Sequence, residues 1–168
     1  MTPLAAGFVA TLLLVGCDRS ESPASDEPST PKEIAQHNSD LAAQALAASN
    51  KGVDDEGERI WKQDAREFFD TTAFPLNRTF ELPWDWAREF TKQAYEAGAP
   101  AVWMVEIQEF ELGGNKLHMS DFMVVELPKD PGVRQALIDE YNEAAGLNED
   151  PTQKITDIGQ TYLYIVGD

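Results

Sequence analysis

The side chains of this chain that could carry chemistry are two histidines, one cysteine and thirty carboxylates. His118 stands two residues before Ser120 and three before Asp121, which are the residue types of a base, a nucleophile and an orienting acid. Successive side chains of a strand point to opposite faces, so Ser120 shares the face of His118 and Asp121 takes the other. A triad is recognised by geometry and not by proximity in sequence. His118 therefore reads as a polar strand residue at the rim of a sheet, with catalysis as the rival reading. Glu106, Glu109 and Glu111 invite a paired-carboxylate reading. Glu109 and Glu111, however, face the same way near a turn, where charge commonly guards an exposed edge. Asp54-Asp55-Glu56-Gly57-Glu58 lacks the alternating oxygen ligands and bidentate glutamate of a calcium loop and reads as the acidic start of a helix. His37 reads as solvated helix surface. In Trp84-Asp85-Trp86, Trp86 belongs to a core stripe, whereas Trp84 is either a staple before a helix or an exposed platform for a sugar or a partner. There is no Walker loop, Gly-x-Ser-x-Gly, His-Glu-x-x-His or zinc-binding cysteine pair, and no cofactor or metal is expected.

Positioning these residues requires elements, and the pattern supplies them. Thr30-Pro31-Lys32-Glu33 carries a capping threonine, a proline at the first helical position and a glutamate that completes a capping box. The helix it opens should run to about Ser49 and stop at Gly52. A second helix should follow Asp54-Asp55-Glu56, because Ile60, Trp61, Ala65, Phe68 and Phe69 fall on one helical face. From residue 78 a pattern repeats. Thr79-Phe80-Glu81-Leu82-Pro83 and Val124-Val125-Glu126-Leu127-Pro128 each precede an aspartate, Asp85 or Asp130, placed to cap a helix. The helices carry Trp86, Phe90, Ala94 and Ala97 in one case, and Val133, Leu137, Tyr141 and Ala144 in the other. Gly98 and Gly146 suit their left-handed ends. Strand-like sequence follows each, Val102 to Leu112 and Thr161 to Val166.

Leu112-Gly113-Gly114-Asn115-Lys116 between the halves reads as a hairpin turn, since a phosphate loop would open a helix instead. With a first strand at Leu76 to Leu82 the order is β-α-β-β-α-β. The expected fold is α+β, a ferredoxin-like sandwich preceded by one or two N-terminal helices. In the strand after the turn, Leu117, Met119, Met123 and Val125 should face the two helices. His118, Ser120, Phe122 and Val124 share the other face with Phe110 and with Val102 or Met104 of the preceding strand. That second face is too apolar to lie open, and either the helix with Ile60, Trp61 and Phe68 or a second copy should cover it.

The N-terminus says most about placement. Leu4 to Val15 is an apolar stretch of the length of a signal-peptide core and too short to span a bilayer, which takes roughly 20 residues. Small Gly16 and then Cys17 follow. Leu14-Val15-Gly16-Cys17 resembles the lipobox of bacterial lipoproteins, which implies cleavage before Cys17 and lipid on its thiol. By the same resemblance, Asp18 would act as a membrane-sorting signal. Residues 1–16 depart from the usual pattern in carrying no Lys or Arg. Residues 17–31, rich in Ser, Pro and acid, cannot bury enough surface to stay ordered. They read as a tether with a reach of about 20 Å. A helical segment at 32–72 and the α+β domain at 73–168 complete the division.

The formal net charge is −17. So acidic a surface repels nucleic-acid backbones and anionic headgroups alike, so nucleic acid is excluded as a partner and the lipid must do the anchoring. The expectation is a membrane-tethered envelope lipoprotein, facing the periplasm, that binds a protein partner or small ligand without catalysis. Two alternatives stand beside it. One is an envelope hydrolase or transferase whose Glu106, His118 and Asp121 converge only in three dimensions, and the other is a module that forms homodimers through its sheet face. Trp84, His118 and Phe122 are the candidate binding residues.

Overall fold

A computed structural model describes residues 30–71, 83–150 and 152–167. The lipobox with Cys17 and Asp18, most of the tether, and the expected strand at Leu76 to Leu82 lie outside the described residues. What is described is an α+β structure with helices on both faces of an antiparallel sheet. The order is α1 (Pro31–Lys51), β1 (Trp61–Asp64), α2 (Ala65–Thr71), α3 (Trp84–Glu96), β2 (Ala101–Leu112), β3 (Asn115–Met119), β4 (Phe122–Glu126), α4 (Pro131–Ala144) and β5 (Tyr162–Val166). No described helix is long and apolar enough to cross a membrane.

Several local signals act as written. The Glu33 amide donates to Thr30 Oγ1 (3.2 Å) while Glu33 Oε2 accepts from the Thr30 amide (3.0 Å), and Gly52 ends α1 at φ 87°. Asp130 caps α4 by accepting from the amides of Gly132 and Val133. Asp85 does not cap α3. It lies inside the first turn, and Pro83 occupies the cap position without a side-chain bond.

The second expected helix is only half helical. Asp54 Oδ1 accepts from the amides of Glu56 and Glu58, closing a tight turn whose arms meet at Val53 and Arg59. Trp61 to Asp64 then pair with β2, and only from Ala65 does the chain coil. The apolar spacing misled because Ile60, Ala65, Phe68 and Phe69 are all buried, although a strand and a helix share the task.

Among the described residues the strand order is β1-β2-β4-β5, with β3 pairing β2 beyond the end of β4. A ferredoxin-like order would set a parallel strand between β4 and β5. Here β4 and β5 pair directly and antiparallel, Val124 opposite Tyr164, and β1 joins β2 on the far side. The ferredoxin-like order is therefore not found among the described residues.

Beneath the sheet lies the main core. Phe68 of α2, Phe90 of α3 and Ile138 of α4 meet Val102, Met104, Met123, Leu163 and Ile165, all about fully buried. Each large side chain so placed contributes on the order of 1.5–3 kcal/mol. On the opposite face α1 lies over Val105, Val124 and Tyr164, where its buried apolar side chains are Ala42 and Ala45, with Leu41 and Leu46 partly buried. The apolar face is thus covered from within the chain, by α1 and not by the expected helix at Ile60, Trp61 and Phe68. That face is also the one through which a homodimer was expected.

Polar clamps fasten α1 where apolar mass is thin. Asn38 Nδ2 donates to the Tyr164 carbonyl (2.7 Å) and Asn38 Oδ1 accepts from the Tyr164 amide (2.8 Å). One amide side chain thereby pairs the outer edge of β5 as a neighbouring strand would. Asn142 of α4 holds the backbone of Ile155 in the same way. Further along α1, Ser49 Oγ accepts from the amide of Glu106 (2.8 Å).

Glu106 marks a break in the sheet. It is the non-glycine residue with positive φ (53°) among the described residues. Three residues of β1, Trp61 to Gln63, stand against four of β2, Ile107 to Met104, which is a β-bulge. The hairpin partner breaks at the same rung, between β3 and β4. Pairing on either side keeps one register, Gln108 opposite Met119 and Val105 opposite Phe122. Both strands consequently exchange faces. Ile107 joins the core with Met104 and Met123, while Gln108, Phe110, Met119 and Phe122 line a cavity on the other side. The expected continuous alternation from Leu117 to Val125 fails for this reason. Met119 shares a face with Phe122, and His118 does not.

Candidate functional site

The bulge opens onto a cavity of about 760 Å³ between the C-terminal half of α1, the turn at 53–56 and the sheet. Its apolar walls are Leu41, Ala45, Ala48 and Val53, with Tyr164 from β5. Glu106, Asp54, Asp55 and Glu56 supply carboxylates, and Lys51 is the lining cation. The volume falls within the roughly 300–1,000 Å³ of small-molecule sites. A second cavity of about 110 Å³ shares Glu106 and Gln108 as walls and adds Ser120, Asp121 and Phe122. Glu106 thus stands at both.

Each group is held for a structural reason. Positive φ at Glu106 costs a non-glycine residue on the order of 1–3 kcal/mol, and Ser49 secures the amide so displaced. Ser120 is buried and donates from Oγ to the Val105 carbonyl (2.6 Å) while accepting from the Phe122 amide (3.1 Å), which staples the opposite strand. Burial raises the pKa of the Glu106 carboxyl above its usual value, and the charges of Asp54 and Asp55 raise it further. The Tyr164 phenol is likewise raised, first by burial and then by Glu106, so it stays protonated. Its ring stacks on Phe122 at 5.6 Å. Asp121 Oδ1 is buried with no hydrogen-bond partner among the described residues.

The residues singled out by sequence part company here. Glu106 and Asp121 line one cavity. His118 lies on the other face, its Nε2 3.6 Å from Glu109 Oε2 and its ring edge-on to Trp61 at 5.0 Å. The Ser120 hydroxyl is engaged with the backbone. The grouping of Glu106, His118 and Asp121 is therefore not assembled. Trp84 packs on Phe69 (4.6 Å) and Phe68 (6.1 Å), between α2 and α3. Phe122 does reach the small cavity. His37 lines a separate groove of about 540 Å³ beside β5. Among the described residues no three His, Cys, Asp or Glu side chains cluster closely enough to hold a metal ion.

Sequence reasoning missed Tyr164, Asn38, Ser49 and the part played by Asp54 and Asp55. Asn38 left a faint signal, a polar residue within the otherwise small-residue stripe of a helix. Comparison with known protein families, curated proteins and solved structures finds no match.

Proposed function

We propose that this chain is a lipid-anchored binding protein of the cell envelope, tethered to a membrane through Cys17, that takes a ligand between α1 and the bulge of β2. The observation that carries the binding reading is the 760 Å³ cavity, in which apolar walls and a few convergent polar groups meet around a strained residue. Strained backbone persists where the surroundings hold it and clusters at ligand sites. The anchor rests on the lipobox resemblance and on the acidic tether that follows it.

Two measurements test this. The intact mass of the mature N-terminus from native membranes should show lipid on Cys17, lost in Cys17→Ala; an unmodified chain beginning at Met1 overturns the anchor. A thermal-shift screen of small molecules should yield a ligand that stabilises by about 2.7 kcal/mol at 100 times its dissociation constant. Ala48→Phe, which fills the cavity from α1, should abolish that shift. A ligand unaffected by Ala48→Phe would place the site elsewhere.

A further inference from the structure

The charge balance of the cavity specifies its ligand more narrowly than the cavity alone. Resting on the reading that this cavity is the ligand site, we propose that it binds an organic ammonium ion with an apolar body, the charged head directed at Glu106 and the body along Leu41, Ala45 and Ala48. Four lining carboxylates, Asp54, Asp55, Glu56 and Glu106, stand against the single ammonium of Lys51. The C-terminal end of α1, which forms one wall, adds the negative pole of its dipole. Tyr164 presents an aromatic ring, a surface that attracts cations.

The site's carboxylates have little internal compensation. Lys51 is the cation that closes α1 and is exposed. Asp54 spends one oxygen on the amides of Glu56 and Glu58. In the adjoining cavity, beyond Glu106, Asp121 Oδ1 is buried without a partner among the described residues, an acceptor that N–H groups would satisfy. A bare divalent ion fits less well, since no three of these groups cluster at metal-binding geometry. A neutral ligand would leave the mutual repulsion of the acids unrelieved, and an anion would add to it.

Binding should also be linked to protons. Because Glu106 is held above the usual glutamate range by burial and by its acidic neighbours, a cation beside it favours the ionised form and expels a proton. Affinity should therefore rise with pH through the titration of Glu106, with Asp54, Asp55, Glu56, Lys51 and Tyr164 as the other titratable groups facing the cavity.

The test is calorimetric titration of the full-length chain with four probes: phenethylammonium, its neutral analogue phenethyl alcohol, phenylacetate and calcium. The ammonium should bind saturably, the alcohol and the carboxylate at least about tenfold more weakly, a difference of about 1.4 kcal/mol. Glu106→Gln, which preserves side-chain volume, should lose the same factor for the ammonium and little for the alcohol, with its unfolding transition retained. Asp55→Asn serves as the second variant and should lose a smaller factor. Equal affinity for alcohol and ammonium overturns the charge assignment while leaving the cavity reading intact. Failure of all four probes, or binding of calcium alone, overturns both.

Discussion

The two faces of the sheet are built on different physics. Beneath it, α2, α3 and α4 press Phe68, Phe90 and Ile138 into a continuous apolar core. Above it, α1 approaches through alanines and serines and is fastened by Asn38 and Ser49 to backbone groups of the sheet. Apolar burial dominates the first face, and on the second directed hydrogen bonds supplement a thinner apolar contact. The cavity lies on the second face, where α1 leaves room beside the bulge. An interface assembled from polar clamps has space for a ligand, and one assembled from large apolar side chains does not.

The largest effect should come from the apolar face. Phe90→Ala removes a fully buried ring and should cost about 3–5 kcal/mol in denaturant unfolding; a cost below 1 kcal/mol would mean that this core does not dominate. The two asparagine clamps provide a matched pair. Asn142 is fully buried, so Asn142→Ala orphans the amide and carbonyl of Ile155 at roughly 1–3 kcal/mol each. The Asn38 bonds to Tyr164 are only part-buried, so Asn38→Ala should cost less, about 1 kcal/mol. Equal costs would erase the distinction drawn from burial.

Filling the thin interface should act locally. Ala42→Leu overpacks beneath α1 at about 1–3 kcal/mol, and hydrogen exchange should quicken in α1 while α3 and α4 stay protected. Smaller still, Glu106→Gly releases the positive-φ strain, offset by the greater freedom of glycine in the unfolded chain. A net gain of about 0.5–1 kcal/mol is expected; a loss would show that the glutamate side chain itself holds the bulge.

The faces should also differ in the sign of their pH dependence. Glu106 is easier to protonate in the folded chain than its usual value of 4.5 allows. Its contribution is full below 4.5 and is lost as pH rises through the raised value. Asp157 is held below 3.8 by two bonds from Arg134, at 3.0 Å each. Its contribution is present above 3.8 and is lost as pH falls through the lowered value. Denaturation of Glu106→Gln and Asp157→Asn across pH 3–7 should remove opposite slopes, and slopes of one sign would contradict the assignment.

Much of the local structure was legible in the sequence because its signals are themselves local. The capping box at Thr30, the aspartate cap at Asp130 and the Gly113-Gly114 turn, with φ of 61° and 81°, act through neighbours a few residues away. The topology was less legible. Two similar strand–helix–strand halves suggested a parallel insertion, yet nothing within the β4 or β5 sequences announces that they pair with each other. The bulge was hidden because Val102 to Val105 are all apolar, so an exchange of faces at Glu106 leaves no mark in the hydropathy pattern. The site depends on that exchange. Glu106 and Asp121 were named as candidates from residue type, and Tyr164 could enter only once β5 was placed beside β4.

The Asn38 clamp has one more consequence. A sheet edge with free amides and carbonyls invites another chain to continue it, and proteins generally blunt such edges with charge, proline or a covering element. Among the described residues β5 ends the sheet, with Val166 at its tip 40% exposed, and the Asn38 carboxamide from the helix above closes its midpoint. Asn38 thereby works against polymerisation. In Asn38→Ala the monomer should remain folded, while growth of thioflavin-positive fibrils at high protein concentration should outpace that of the parent chain.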